Sequence, residues 1–355
     1  MTSRERFIAA LSGAPSDRIP ICDTGFWGET IERWRREGLP RDADLCDYFG
    51  LDRIEGLWPN TGFRLPSEVI EETEDCVIFR DSMGATVRRW RDEHATPQHL
   101  DWALKTRADW ERMKEHLHFD LDRIPSDIAE RCRQAHERGA LFYINPVEPG
   151  WFFLHDAMGY EGCLKAMLDD PAWVDEMYRT HFELALGLMR HIYDEMGARY
   201  DAVWFFSDLC YRNGMFFSPR VYRDLLMPYH KEFARFCHER GVYLMLHCDG
   251  DVRELIPLLI EAGFDAIQPL EARAGNDVRK LAKEHDGRIT FFGNISAEIV
   301  TEGGAPLEHE IRTKVAAAKA HRRYIYHIDH SVPPTVSLAN YQRALALARE
   351  VADYG

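Results

Sequence analysis

The sequence predicts an α/β protein, a (β/α)8 TIM barrel with a β-hairpin insertion after the second strand. Eight short apolar segments alternate with amphipathic helical stretches, the rhythm of a parallel sheet covered on both faces. No GxGxxG turn follows any of them, which argues against an open dinucleotide-binding sheet. No Ser/Gly-rich linker interrupts the rhythm, so residues 1–355 read as a single domain.

In order, the strands are expected at 18–23, 52–58, 140–147, 201–208, 242–247, 266–270, 289–294 and 323–329. Helical periodicity fills the intervals. The stretch "SPRVYRDLLMPYHKEFARFCHERG" opens on an N-cap serine, Ser218, with Pro219 in the first turn, and closes at Gly241. One interval breaks the pattern. Residues 68–92 look like an antiparallel hairpin inserted after the second strand, with its turn near Met83 and Gly84.

Composition narrows the function classes. The net charge of −15 lacks the basic footprint that phosphate binding needs, so nucleic acid is excluded, and an anionic membrane surface is disfavoured. The first twenty residues hold no signal-peptide h-region, and no apolar run is long enough to span a bilayer. Eight scattered cysteines without a CxxC pair read as reduced thiols, mostly small buried hydrophobes. A cytoplasmic protein is expected.

In a barrel of this kind the chemistry gathers at the C-terminal ends of the strands. Those ends carry Asp23, Trp58 with Asn60, Asn145 with Glu148, Asp208, His247 to Asp249, Gln268 with Glu271, Asn294, and Asp329 with His330. Any one of them alone is equally well explained as a helix cap or turn residue. As a set converging on one mouth they point to a site. His247 and Asp249 flank Cys248, and residues i and i+2 of an extended chain face the same side. The His-x-Asp pair therefore faces the mouth while Cys248 packs outward. Asp329 and His330 on the last strand complete the expected cluster, His330 meeting His247 and Asp249 across the mouth on one ion or one ligand atom, with Asp208 and Glu271 as further oxygen donors; two imidazoles with carboxylates suit a divalent ion of zinc, iron or manganese type. A hydrogen-bonded His–Asp pair that orients a loop without metal is the alternative. Phe26, Trp27, Trp58, Trp151, Phe152, Phe153 and Trp204 lie near the mouth and would suit a flat or apolar ligand; aromatic residues at such positions also serve as core.

The stretch "VYLMLHCDGDVRELIPLLIEAGFDAIQPLE", with "FFGNIS" and "DHSVPPTVSLANYQRAL", resembles the uroporphyrinogen decarboxylase superfamily, barrels that also include zinc-dependent methyltransferases acting on corrinoid proteins and thiols. The resemblance runs from "SRERFIAALSGAPSDRIP" to the last helix. His330 matches the family's active-site histidine on strand eight. Two departures bear on function. The decarboxylases carry arginines after strand one and an aspartate at the end of strand two; here "ICDTGFWGETIERW" has no early arginine and Pro59 stands at the aspartate position. The methyltransferases carry His-x-Cys-Gly on strand five and a second cysteine on strand eight. Here His247 and Gly250 match, but Asp249 and Ile328 stand at the two cysteine positions.

The resemblance implies a metal-assisted methyltransferase, with zinc the expected ion at His247, Asp249 and Asp329, and a corrinoid as methyl donor or acceptor. Asp208, His330 and Asp23 are then the expected catalytic groups. Trp27, Trp58, Asn145, Glu148, Trp151, Glu271 and Asn294 are the expected substrate contacts. Partners would be a small-molecule substrate and a corrinoid protein, with homodimerisation left open. The alternatives are decarboxylation of a porphyrinogen-like or smaller aromatic acid, with Asp23, Asp208 or His330 stabilising a protonated ring, and a non-catalytic corrinoid- or tetrapyrrole-binding protein.

Overall fold

The computed structural model describes residues 1–91 and 97–354; residue 92, the last of the expected hairpin, and Gly355 lie outside them. Seven parallel strands form a curled sheet in the order β1-β6-β7-β10-β11-β12-β13. These are Ile54–Leu57 (β1), Leu141–Ile144 (β6), Ala202–Phe206 (β7), Tyr243–Cys248 (β10), Ala266–Pro269 (β11), Thr290–Phe292 (β12) and Tyr324–Ile325 (β13).

The eighth expected strand, 18–23, forms isolated bridges rather than a ladder. Pro20 has no N–H to donate, which breaks regular pairing. The segment still reaches both sheet edges. Tyr326 N–H donates to the Pro20 carbonyl (2.9 Å) and Cys22 N–H to the Tyr326 carbonyl (3.1 Å). On the other side Asp52 N–H donates to the Ile21 carbonyl (2.7 Å).

Alternation along the strands splits the core into two layers. Leu141, Ala202, Trp204, Met245, Ala266, Phe292 and Ile325 point inward and pack together. Their neighbours Phe142, Val203, Phe205, Leu244, Leu246, Cys248, Ile267 and Phe291 point outward into the larger core beneath the helices. The helix Ser3–Ser12 brings Phe7, Ala10 and Leu11 onto the inner layer. A reciprocal Thr2–Glu5 capping box starts it and Gly13, at φ 74°, ends it.

Between β1 and β6 the chain builds more than a hairpin. Glu68–Glu72 (β2), Cys76–Arg80 (β3), Thr86–Trp90 (β4) and Gln98–Asp101 (β5) form a four-stranded antiparallel sheet. The β3–β4 turn is held by Asp81, whose carboxylate accepts from Met83 and Ala85 N–H (both 2.9 Å). The fourth strand, QHLD, is too short and too polar to show a period. A shorter ribbon, Cys210–Tyr211 (β8) and Gly214–Met215 (β9), follows β7 at the mouth of the parallel sheet. No helix among the described residues is long and apolar enough to cross a membrane.

Candidate metal centre

The last inward positions of β10 and its neighbours converge. Met245 belongs to the inner layer, so His247, two residues on, also faces inward. Register places Phe206 of β7 on one side of it and Gln268 of β11 on the other. Phe206 stacks on the imidazole at 4.0 Å and 9°, and Gln268 Oε1 lies 2.6 Å from Nδ1. The amide oxygen accepts, so Nδ1 carries a proton, and in the neutral ring the lone pair is at Nε2. That lone pair faces Asp208 Oδ1 at 3.8 Å and Asp249 Oδ1 at 3.9 Å.

These three side chains offer one donor atom each within 4.8 Å of one another. Asp208 Oδ1 also accepts the Asp249 N–H (3.0 Å), and Trp151 Nε1 donates to the Asp208 carbonyl (2.8 Å). Asp249 Oδ1 is buried and has no hydrogen-bond partner among the described residues. Burial pushes the Asp249 pKa up, the His247 imidazole opposes the rise, and the Asp208 charge adds to it. An orphaned carboxylate oxygen beside an imidazole lone pair is costly unless a cation takes the space between them. Donors on a tetrahedral ion with bonds of about 2.0–2.2 Å stand roughly 3.3–3.6 Å apart. The two distances from His247, 3.8 and 3.9 Å, exceed that separation by a few tenths of an ångström, so the donor set suits a divalent ion once it draws in.

Two cavities meet at this cluster. The first, about 680 Å³, is lined by Trp58, Tyr143, Phe152, Trp204, Phe206 and His247 among others, and, among the described residues, by no lysine or arginine. The second, about 690 Å³, holds Asp208, Tyr211, Arg212, Glu271 and Arg273. Asp249 and His330 line both. A third, of about 560 Å³, again touches His330 and Trp27. His330 Nδ1 sits 3.5 Å from Asp329 Oδ1, and this hydrogen-bonding contact raises the His330 pKa against the effect of burial.

The motif's glycine has a conformational reason. Gly250 stands at φ 84°, and a Cβ there would lie 2.6 Å from the Tyr211 carbonyl carbon and oxygen. Only glycine lets the β8–β9 ribbon close over the end of β10, where Asp251 N–H donates to the Tyr211 carbonyl (2.9 Å).

Several expected site residues lie elsewhere. Asp329 is no part of the cluster: its oxygens accept the N–H groups of Ala272 and Ala297 (both 2.9 Å), which leaves it to hold two loops and His330. Asp23 is buried, accepting from Ile328 N–H and the Tyr341 hydroxyl (both 2.7 Å), and it lines none of the three cavities. Glu148 is fully buried; Phe152 N–H (2.8 Å) and the Ser207 hydroxyl (3.1 Å) donate to it, and His230 Nε2 lies 2.9 Å away. Val147 at φ 65° turns it under the mouth instead of into it. Asn294 is also buried, spending its amide on Leu270, Asn276 and Val278. Trp151 is core, acting on the site only through Asp208. Glu271 borders the second cavity but is engaged by Gly250 N–H (2.9 Å) and Arg273 (2.5 Å). Trp27, Trp58 and Asn145 do line the first cavity.

Sequence reasoning missed His327 and the Tyr222–His230–Glu148 chain. His327 lines the first cavity, its Nε2 accepting from Thr24 N–H (3.2 Å), and burial drives its pKa down to about 3. It sits two residues before Asp329, on the inward period of the last strand segment, which is the signal that could have found it. Nothing in the helix pattern marks His230, whose Nδ1 lies 2.8 Å from the Tyr222 hydroxyl.

Comparison with known proteins bears on this geometry. No curated protein matches the chain. Among solved structures, a methyltransferase from Methanosarcina mazei aligns at a TM-score of 0.64 over 99% of each chain, with 16% sequence identity, so the two share a fold. A structure of Dispersin B aligns over 99% of this chain and 92% of its own at 9% identity, with a TM-score of 0.28, too low to indicate a shared architecture. Residues 72–351 match the family model described as uroporphyrinogen decarboxylase (URO-D). With well over half of its length in that match, the chain belongs to the uroporphyrinogen decarboxylase family.

Proposed function

We propose that this protein is a cytoplasmic methyltransferase, one closed (β/α)8 barrel over residues 1–355, that uses a divalent ion, zinc in the first instance, at Asp208, His247 and Asp249. The methyl group would pass between a small-molecule substrate in the first cavity and a corrinoid brought by a partner protein. The observation that carries the reading is the orphaned Asp249 Oδ1 beside the His247 lone pair, at the junction of two cavities. Family membership and the fold shared with a methyltransferase support it.

A bound ion supplies Lewis acidity, lowering the pKa of a ligated hydroxyl or thiol so that a nucleophile exists at neutral pH. The chain's own residues do the rest. Gln268 fixes the His247 tautomer and Phe206 fixes its ring plane. Trp151 holds the Asp208 backbone in place. Asp329 raises the pKa of His330, whose Nε2 can give a proton to a departing heteroatom in the charged form or take one from an entering group in the neutral form. Asp208 thus moves from a catalytic role to a ligand, and Asp329 from a ligand to the support of His330.

Decarboxylation of a porphyrinogen is less well served. Such a substrate carries many carboxylates, and the first cavity offers no lysine or arginine to pair with them. The deciding assay follows methylcobalamin by its visible spectrum, with zinc-loaded protein and a panel of thiol and phenol acceptors. Demethylation that needs both protein and metal, and is lost in His247→Ala, is expected. Anaerobic conversion of uroporphyrinogen at a kcat/KM above about 10⁴ M⁻¹s⁻¹, with no demethylation, would overturn the reading.

A further inference from the structure

The first cavity is walled by rings in mutual contact. Trp58 meets Tyr143 edge-on (5.9 Å), Tyr143 meets Trp204 (5.0 Å), and Trp204 stacks on Phe292 (5.5 Å, 30°). Phe152 meets Phe206 (5.6 Å), which stacks on His247 of the metal cluster. Trp27, Trp58 and Phe206 are 49%, 55% and 42% exposed and all line this cavity. Three large rings left in solvent at one mouth are a cost that a stacked ligand removes.

Charge narrows the ligand further. Among the described residues no lysine or arginine lines the cavity, and the one carboxylate that does, Asp249, belongs to the cluster. A carboxylate on the ligand would lose its hydration without gaining an arginine or lysine partner. A fixed cation would be repelled by a bound divalent ion. The other polar side chains of the lining, among them Thr24, Asn145, Gln268, His327, His330 and Ser331, can hydrogen-bond a neutral ligand.

We infer that the first cavity takes an uncharged aromatic molecule, its ring stacked on the exposed rings that line it, Trp58 foremost, and an oxygen or sulfur substituent presented to the Asp208–His247–Asp249 cluster. The inference deepens the metal-centred reading above, but its ring-stacking half stands without metal. Tryptophan fluorescence of metal-free protein, titrated with 2-methoxyphenol and benzoate, separates the two. Saturable quenching by 2-methoxyphenol, with benzoate at least tenfold weaker, is expected. Trp58→Ala should weaken 2-methoxyphenol by about five- to tenfold, the worth of one aromatic contact, and Trp58→Phe should restore most of it. Zinc should then tighten 2-methoxyphenol and not benzene, which has no oxygen substituent, and in zinc-loaded protein benzyltrimethylammonium should bind at least tenfold more weakly than 2-methoxyphenol. Equal or tighter binding of benzoate by metal-free protein, or no effect of Trp58→Ala, overturns the ring site. Zinc that binds stoichiometrically yet leaves 2-methoxyphenol unchanged overturns the substituent's placement while the metal centre itself stands. Absence of zinc binding with intact ring binding refutes the placement and the metal reading together.

Discussion

At the scale of single residues, the environment decides what each polar side chain does. Asp249 and Asp23 are both aspartates at strand ends whose pKa is raised mainly by burial. Asp249 keeps an unpartnered oxygen beside an imidazole, whereas Asp23 spends both oxygens on Ile328 and Tyr341. The pKa of Asp23 is pushed up to about 7 from an ordinary 3.8, burial outweighing the two hydrogen bonds. The folded state therefore holds a proton that the unfolded chain has already released between these values. Stability from this group is full below about pH 4 and is lost as pH rises toward 7, roughly 4 kcal/mol in all. Urea unfolding at pH 5 and pH 8 should show wild type losing about 2–3 kcal/mol more than Asp23→Asn over that interval. Parallel pH profiles for the two proteins would refute this account of Asp23.

At the scale of elements, alternation was readable and neighbourhood was not. The period of two along β10 places Met245 and His247 inward and Cys248 outward, as the His-x-Asp spacing implies. The expected meeting of His247, Asp249 and His330 on one ion is a different matter. Strands β7 and β10 are hydrogen-bonded neighbours, so the end of β7 delivers Asp208 to His247. His330 comes from the far side and lines the same cavities without joining the cluster. Residues just past a strand end were read too simply as mouth residues. Positive φ at Val147 and Asn294 turns the chain there, burying Glu148 and Asn294. Gly250 shows the same turning used constructively, since the β8–β9 ribbon packs where its side chain would be. Gly250→Ala should cost about 1–3 kcal/mol from backbone strain alone, and more from the clash. A thermal melt that drops by several degrees, with weaker metal binding because Asp249 moves, is expected. A variant as stable as wild type would contradict the packing.

At the scale of the whole molecule, the parallel α/β architecture follows from apolar strands alternating with helices, and the curled seven-stranded sheet places their ends together. Pro20 obscured how the 18–23 segment joins that sheet, and the short polar strand Gln98–Asp101 hid the size of the antiparallel insertion. The chemistry at the mouth was legible as a concentration of polar strand ends; its division into ligands, supports and core was not, because that depends on which strands are adjacent.

The central claim is the metal centre, and zinc binding by competition with a chromophoric chelator tests it most directly. Wild-type protein should bind one equivalent. His247→Ala and Asp249→Asn should each lose most of that affinity, at least about a hundredfold, while Asp329→Asn, which removes no ligand, should stay within about tenfold of wild type. No zinc bound by the wild type, or one equivalent held equally well by His247→Ala and Asp249→Asn, would contradict it.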